Sequence, residues 1–221
     1  MNRVFEFERI CFKLDCLVVD ELQETINDMP RKKEYDPSEV LQKAMYVFWQ
    51  NGYRSTSLRM LEKELGINQF SIYSSFQNKH NLFVEVLKKY RKHMRKGIVQ
   101  ILINSEGDLK DIEHFYKAFI EAVQNGDSPN GCLVANTAAE IGSSDSQIHE
   151  ALKAYFGMME DAFYELLRKS QSKGQLDKDI DPREKAKYLV TCTEGLSLSS
   201  KVMDESDLHS FISSVMASLQ S

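Results

Sequence analysis

The chain has 221 residues, 42% of them hydrophobic, four prolines and a net charge of −5, which is enough to bury a core and to form one large or two small domains. No apolar run approaches the roughly 18 residues of a membrane span, no Gly/Ser- or Pro-rich linker divides the chain, and no membrane partner is expected. The cysteines Cys11, Cys16, Cys132 and Cys192 are scattered, without metal or redox spacing, and fit a reducing cytoplasm. The charge is uneven. Residues 1–28 hold three basic and seven acidic side chains, residues 29–100 fourteen and six, and residues 101–221 eleven and twenty. A module of +8 inside an acidic protein suits a polyanionic partner, although like charges also gather on solvated helix faces.

Residues 1–28 are interrupted by Glu6, Glu8, Lys13 and Asp15 and do not form a signal peptide. Two readings stay open for them: an extension ahead of a chain that starts at Met29, or an extra helix packed on the basic module. From residue 36 onward helical periodicity dominates without an alternating strand pattern, so an all-α fold is expected. The first helix opens at Asp36, Pro37 and Glu39 in a capping-box arrangement, runs its apolar face through Val40, Leu41, Ala44, Met45 and Phe48 with Trp49 beside it, and stops at Asn51-Gly52. The second follows Ser55-Thr56-Ser57, buries Leu58, Leu61 and Leu65, and ends at Gly66.

A very short third helix follows. Asn68 caps it, and Ile67 meets Ile72 as a hydrophobic staple. With Ile72 and Phe76 inward, Phe70, Tyr73, Ser74 and Gln77 face out. Asn78 then caps a long helix whose apolar stripe runs from Leu82 to Ile98, ringed by basic residues. Five more helices are expected at about 109–125, 131–142, 146–173, 182–200 and 206–219, separated at Gly126–Asn130, Gly142–Ser144, Gly174–Pro182 and Lys201–Ser206.

Two helices joined by a tight glycine turn, the second short and outwardly polar, form a helix-turn-helix, and such a second helix fits a DNA major groove. A helical connector with solvated hydroxyls is the bland reading; the local +8 favours the groove. The stretch "GYRSTSLRMLEKELGINQFSIYSSFQNKHNLF" resembles the DNA-binding signature of TetR-family transcriptional regulators, with the match extending over about residues 37–97. The resemblance implies nine or more helices, a homodimer, and repression relieved by a small molecule. It implies a helix-turn-helix domain over 29–97 and a ligand-binding and dimerisation domain over 98–221. It makes Thr56, Ser57, Tyr73 and Lys79 phosphate contacts, and directs Asn68, Gln69, Phe70, Ser71 and Ser74 to the groove of double-stranded operator DNA. Lys79 in a first helical turn opposes the helix dipole, which a bound phosphate would resolve; a merely solvated lysine stays an alternative. Tyr73 alternatively covers the core. Phe70, Glu62 and Leu65 depart from the family's small residues, so base preference does not transfer; Phe70 either touches a thymine methyl or alters how deeply the helix enters.

The effector region implied by the resemblance is 101–181, which also contains "NGCLVANTAAEIG". Its candidates for the ligand are Tyr116, Phe119, Ile120, Val123, Phe156, Met159 and Phe163, aromatic and adaptable side chains that suit an apolar or aromatic effector; most such residues must simply be core. Cys132 is either a reactive thiol or, since nothing near it in sequence lowers its pKa, a buried structural one. The last two helices are candidates for the dimer interface through Tyr188, Leu189, Cys192, Gly195, Leu196, Ser199, Phe211, Ile212 and Val215, against packing within one chain. No nucleotide, protease or hydrolase motif occurs, and the five histidines do not cluster with carboxylates or cysteines, so no catalytic residue, metal or cofactor is expected. The rival to a regulator is a helical interaction module whose basic segment binds an acidic protein.

Overall fold

The computed structural model describes residues 35–124 and 130–219; the alternatives for residues 1–28 lie outside them. From Pro37 the chain forms one compact unit, and the description concerns that unit. The described residues contain ten helices and no strand.

Helix α1 (Pro37–Asn51) buries Val40, Ala44, Met45, Val47, Phe48 and Trp49. Helix α2 (Leu58–Leu65) starts at Ser57, whose hydroxyl accepts the Met60 N–H, and stops at Gly66, whose φ of 69° is the left-handed cap that glycine adopts without penalty. Helix α3 (Gln69–Phe76) begins on the Asn68 side chain, which accepts the Ser71 N–H. It ends at Gln77, a non-glycine residue at φ 67°, whose N–H reaches Tyr73 O at 2.7 Å. Asn78 caps α4 (Lys79–Lys96), which buries Leu82, Phe83, Val84, Val86, Leu87, Tyr90 and Met94.

The long helix ends at Gly97, slightly before the expected Ile98, and α5 (Gln100–Ile103) follows. One turn is too short to leave a periodic signal. Then come α6 (Lys110–Gln124), α7 (Leu133–Glu140), α8 (Ser146–Ser172), α9 (Pro182–Ser199) and α10 (Glu205–Ala217). Asp145, Asp181 and Asp204 cap the last three through their carboxylates, which satisfies orphan N–H groups and complements the helix dipole.

Two apolar centres result. Phe48, Leu61, Ile72 and Phe83 fill the first, between α1 and α4. Ile112, Phe115, Tyr116, Met159, Phe163 and Leu189 fill the second, among α6, α8 and α9. Helix α4 borders both: the Tyr90 ring meets Trp49 edge-on at 5.1 Å and Tyr155 at 5.8 Å. No helix among the described residues is long and apolar enough to cross a membrane.

Candidate nucleic-acid interface and its support

Only Ile72 of α3 is fully buried. Phe70 is 77% exposed and Tyr73 44%, and Ser57, Asn68, Gln69 and Ser74 are exposed as well, with Ser71 intermediate. A ring left in water to that extent gives no folding stability in return, so α3 offers a ready contact surface. The Gln69 amide donates to Glu62 Oε2 at 3.2 Å, which orients it from the neighbouring helix. The Ser74 hydroxyl donates to Ser71 O at 3.0 Å, leaving its lone pairs outward.

Burial and bonding turn the Thr56 side chain away from any phosphate and give the Lys79 ammonium partners within the chain. Thr56 is wholly buried and its hydroxyl donates to Gly52 O at 2.6 Å; its side chain builds the turn between α1 and α2. Lys79 does not reach outward: its ammonium donates to Tyr53 O and Thr56 O, both at 2.8 Å, and lies 4.4 Å from the Tyr53 ring centroid. Two carbonyls and a π face provide the partners that a phosphate was expected to provide. Burial, opposed by the Glu140 charge, holds the Lys79 ammonium below the ordinary lysine range.

The turn is held from the other side by residues that the sequence did not flag. Glu140, at the C-terminal end of α7, accepts from the backbone N–H groups of Tyr53 at 2.9 Å and Arg54 at 2.6 Å. An acid at that end opposes the helix dipole; these two donors account for it. At the opposite end of α7, Asn130 Nδ2 donates to Trp49 O at 3.2 Å and Trp49 Nε1 donates to Gly131 O at 2.8 Å. Beyond α7, Asp145 pairs with His80 Nε2 at 2.8 Å. That hydrogen bond is the main cause that raises His80 above the ordinary imidazole range. Asp145 is held below the ordinary carboxylate range, first by the Ile148 N–H and next by His80. Residues 130–145 thus form a strap tied to α1, to the following turn and to α4.

Gly131 is where the strap enters. At φ +72°, a Cβ there would sit 2.5 Å from Ser197 O, so no side chain fits. The only sequence signal for this region was the stretch "NGCLVANTAAEIG"; the partners lie 65 to 87 residues away, beyond any local pattern.

The other expected sites divide by burial. Tyr116, Met159 and Phe163 are fully buried and Phe119 and Ile120 nearly so, whereas Val123 and Phe156 are intermediate. Tyr116 is core: it packs edge-on against Phe115 at 5.4 Å and Phe211 at 5.7 Å, and its hydroxyl donates to Leu189 O at 2.8 Å. The expected dimer contacts are corrected likewise. Leu189, Leu196, Ile212 and Val215 face into their own chain, at 5% exposure or less. Tyr188 and Gly195 are exposed, Cys192, Ser199 and Phe211 intermediate. The outward face of α9 also carries Leu198 at 46% exposure, with Val202 just beyond at 88%; neither was anticipated.

A short exposed helix after a glycine-capped partner, braced against a larger helical domain, is a helix-turn-helix arrangement. Residues 40–86 match the family model described as bacterial regulatory proteins, tetR family, and residues 109–214 match the tetracyclin repressor-like C-terminal domain. The chain belongs to the TetR family of transcriptional regulators. It is 27% identical to the HTH-type transcriptional repressor ComR of Escherichia coli over 84% of this chain and 89% of that one. It is 29% identical to the HTH-type transcriptional regulator YezE of Bacillus subtilis over 81% and 93%. Among solved structures it is similar to a cysteine mutant of the TetR-family regulator CifR complexed with a 26-base-pair operator duplex, with TM-score 0.75 and 26% identity over 85% of this chain and 98% of that one.

Proposed function

We propose that the protein is a DNA-binding transcriptional repressor that acts in the cytoplasm as a homodimer on a palindromic operator and is released by a small-molecule effector. The observation that carries this reading is the outward face of α3, where Phe70 and Tyr73 stand exposed beside Asn68, Gln69 and Ser74. Amides and hydroxyls match base-edge donors and acceptors, and an exposed ring matches a thymine methyl. Residues 29–97 act as the reading domain and residues 98–221 as the effector and dimerisation domain. Ser57 and Tyr73 supply phosphate contacts at the margins.

In the dimer, the outward apolar face of α9, Tyr188, Cys192, Gly195, Leu198 and Ser199, packs against its symmetry mate. A two-fold pair of α3 helices then meets successive major grooves, about 34–36 Å apart. The strap of residues 130–145 transmits release. An effector shifts the equilibrium only by its preference for the released arrangement, and movement of α7 acts directly on the turn at Tyr53–Arg54 through Glu140.

Selection of bound duplexes from random DNA tests the reading. A two-fold symmetric motif is expected. No enrichment at all overturns it in favour of an interaction module that binds an acidic protein.

A further inference from the structure

Among the described residues, the Glu194 carboxylate on α9 and the Ser200 hydroxyl just beyond that helix are the buried side-chain polar groups without a hydrogen bond of ordinary geometry. Both carboxylate oxygens are covered, and among the described residues neither makes a hydrogen bond of ordinary geometry, the Cys132 thiol being the donor beside them. Around the carboxylate lie Cys132 at the start of α7, Tyr90 of α4 and Tyr155 of α8, each 1% exposed. None of them balances a negative charge. The Cys132 thiol directs its proton to Tyr155 Oη at 3.6 Å, and no lysine or arginine is among the groups acting on Glu194. Burial accordingly pushes the Glu194 carboxyl up to about 7, against the weaker opposing pull of the neighbouring Cys132 thiol. The same burial, with Glu194 beside it, pushes that thiol up to about 12.

A buried acid without a counter-charge works against folding. An unsatisfied buried group in a native protein therefore calls for a functional account. We propose that Glu194 is the charge anchor of the effector site and that the effector is an organic cation, an ammonium or guanidinium on an apolar body. The proposal rests on the reading of the protein as an effector-released repressor and names the chemistry of that effector.

Three features favour this class of ligand. A cation supplies the partner that the carboxylate lacks. The Tyr90 and Tyr155 rings beside it, 5.8 Å apart, are buried and would have to part to present π faces to an organic cation, whereas the Phe156 ring, 5.8 Å from Tyr155, is already partly exposed. A metal ion is a poorer occupant, because among the described residues no three His, Cys, Asp or Glu side chains gather to hold one. The Glu194 residue is half-buried although its carboxylate oxygens are covered, so a ligand reaches them by displacing the groups packed over them. The site also adjoins the strap: the Cys132 N–H donates to Ser197 Oγ at 2.7 Å, three residues on from Glu194. A cation drawn to Glu194 therefore acts where α9 grips the beginning of α7, and the far end of α7 holds the reading turn.

The single tryptophan of the chain is a built-in reporter, because the Trp49 ring lies 5.1 Å from Tyr90. The full chain is titrated with benzyltrimethylammonium, and in parallel with neutral benzyl alcohol and anionic phenylacetate, while Trp49 fluorescence and thermal melting are followed. A saturable response to the ammonium alone is expected, at least tenfold weaker in Glu194→Gln, and that variant should melt no lower than the parent because the buried charge is gone. With the selected duplex, the ammonium should weaken DNA binding of the parent and leave Glu194→Gln unaffected. Equal responses of the two proteins, a response to all three probes alike, or a lower melting temperature for Glu194→Gln would overturn the proposal. So would a Glu194-dependent response to pH without one to the ammonium, which would make the residue a proton site. The fluorescence titration needs no DNA, so its failure is distinguishable from a failure to select an operator.

Discussion

Helices α3 and α7 are both eight residues long, and they are built on opposite plans. Helix α3 buries Ile72 and leaves two aromatics, an amide and hydroxyls in solvent, whereas α7 buries Leu133, Val134, Ala135 and Thr137. Helix α3 is defined by its own neighbours: the Asn68 cap, the turn at Gly66 and Ile72 beneath. Helix α7 is defined by distant ones, through Trp49 near its start and Tyr53 and Arg54 at its end. Isolated eight-residue helices are unstable in water, so each needs an external anchor. The contrast teaches that a helix with an exposed outer side is cheap to vary there, while a helix bonded to distant partners is fixed at both ends.

The sharpest way to break that contrast is Gly131→Ala. A Cβ against the Ser197 carbonyl and a positive φ together should destabilise the fold by about 3 kcal/mol or more, measured by urea unfolding. A neutral result would mean that the strap does not depend on this close approach. Glu140→Ala comes next. Losing the acceptor for two backbone N–H groups should lower stability by about 1–2 kcal/mol and loosen DNA binding even though Glu140 is not on the reading face. Unchanged affinity for the selected duplex would uncouple α7 from the turn.

Phe70→Ala should leave stability within about 0.5 kcal/mol while lowering affinity for the preferred duplex by about 1–2 kcal/mol. A large loss of stability would show that the ring is structural. The smallest effect belongs to His80. Its folded pKa is raised, so the His80–Asp145 contribution is complete below the ordinary imidazole value of 6.5 and disappears as pH climbs through the higher folded value. Asp145, held low, stays charged across that window. The stability difference between the parent and His80→Gln should be about 0.3 kcal/mol near about pH 6, discounted for solvent screening, and vanish near about pH 9. A constant difference would assign the contact to packing.

Much of the reading domain was legible because its signals are local. Asn68, Asn78 and Ser57 cap the helices that follow them, and setting Ile72 inward turned Phe70 and Tyr73 outward, as their exposure shows. Local pattern failed where a polar side chain bonds across the fold. Lys79 looked like a cation awaiting a phosphate, and no local signal showed that its ammonium also bonds Tyr53 O and Thr56 O. Leu189 and Ile212 sit on helices with apolar residues on more than one side, and periodicity alone does not say which side meets a second copy.

By itself the sequence determined an all-helical chain, the succession of its capped helices and the side of α3 that faces water, since caps and 3.6-residue periodicity act within a few residues of chain. Only the tertiary structure decided that Glu140 and Lys79 grip one turn from two sides, that Tyr116 and Met159 are buried, and that the Glu194 carboxylate is covered without an ordinary hydrogen bond among the described residues. Those outcomes depend on which groups meet across tens of residues, and burial changes the free energy of a charge by far more than its sequence neighbours do.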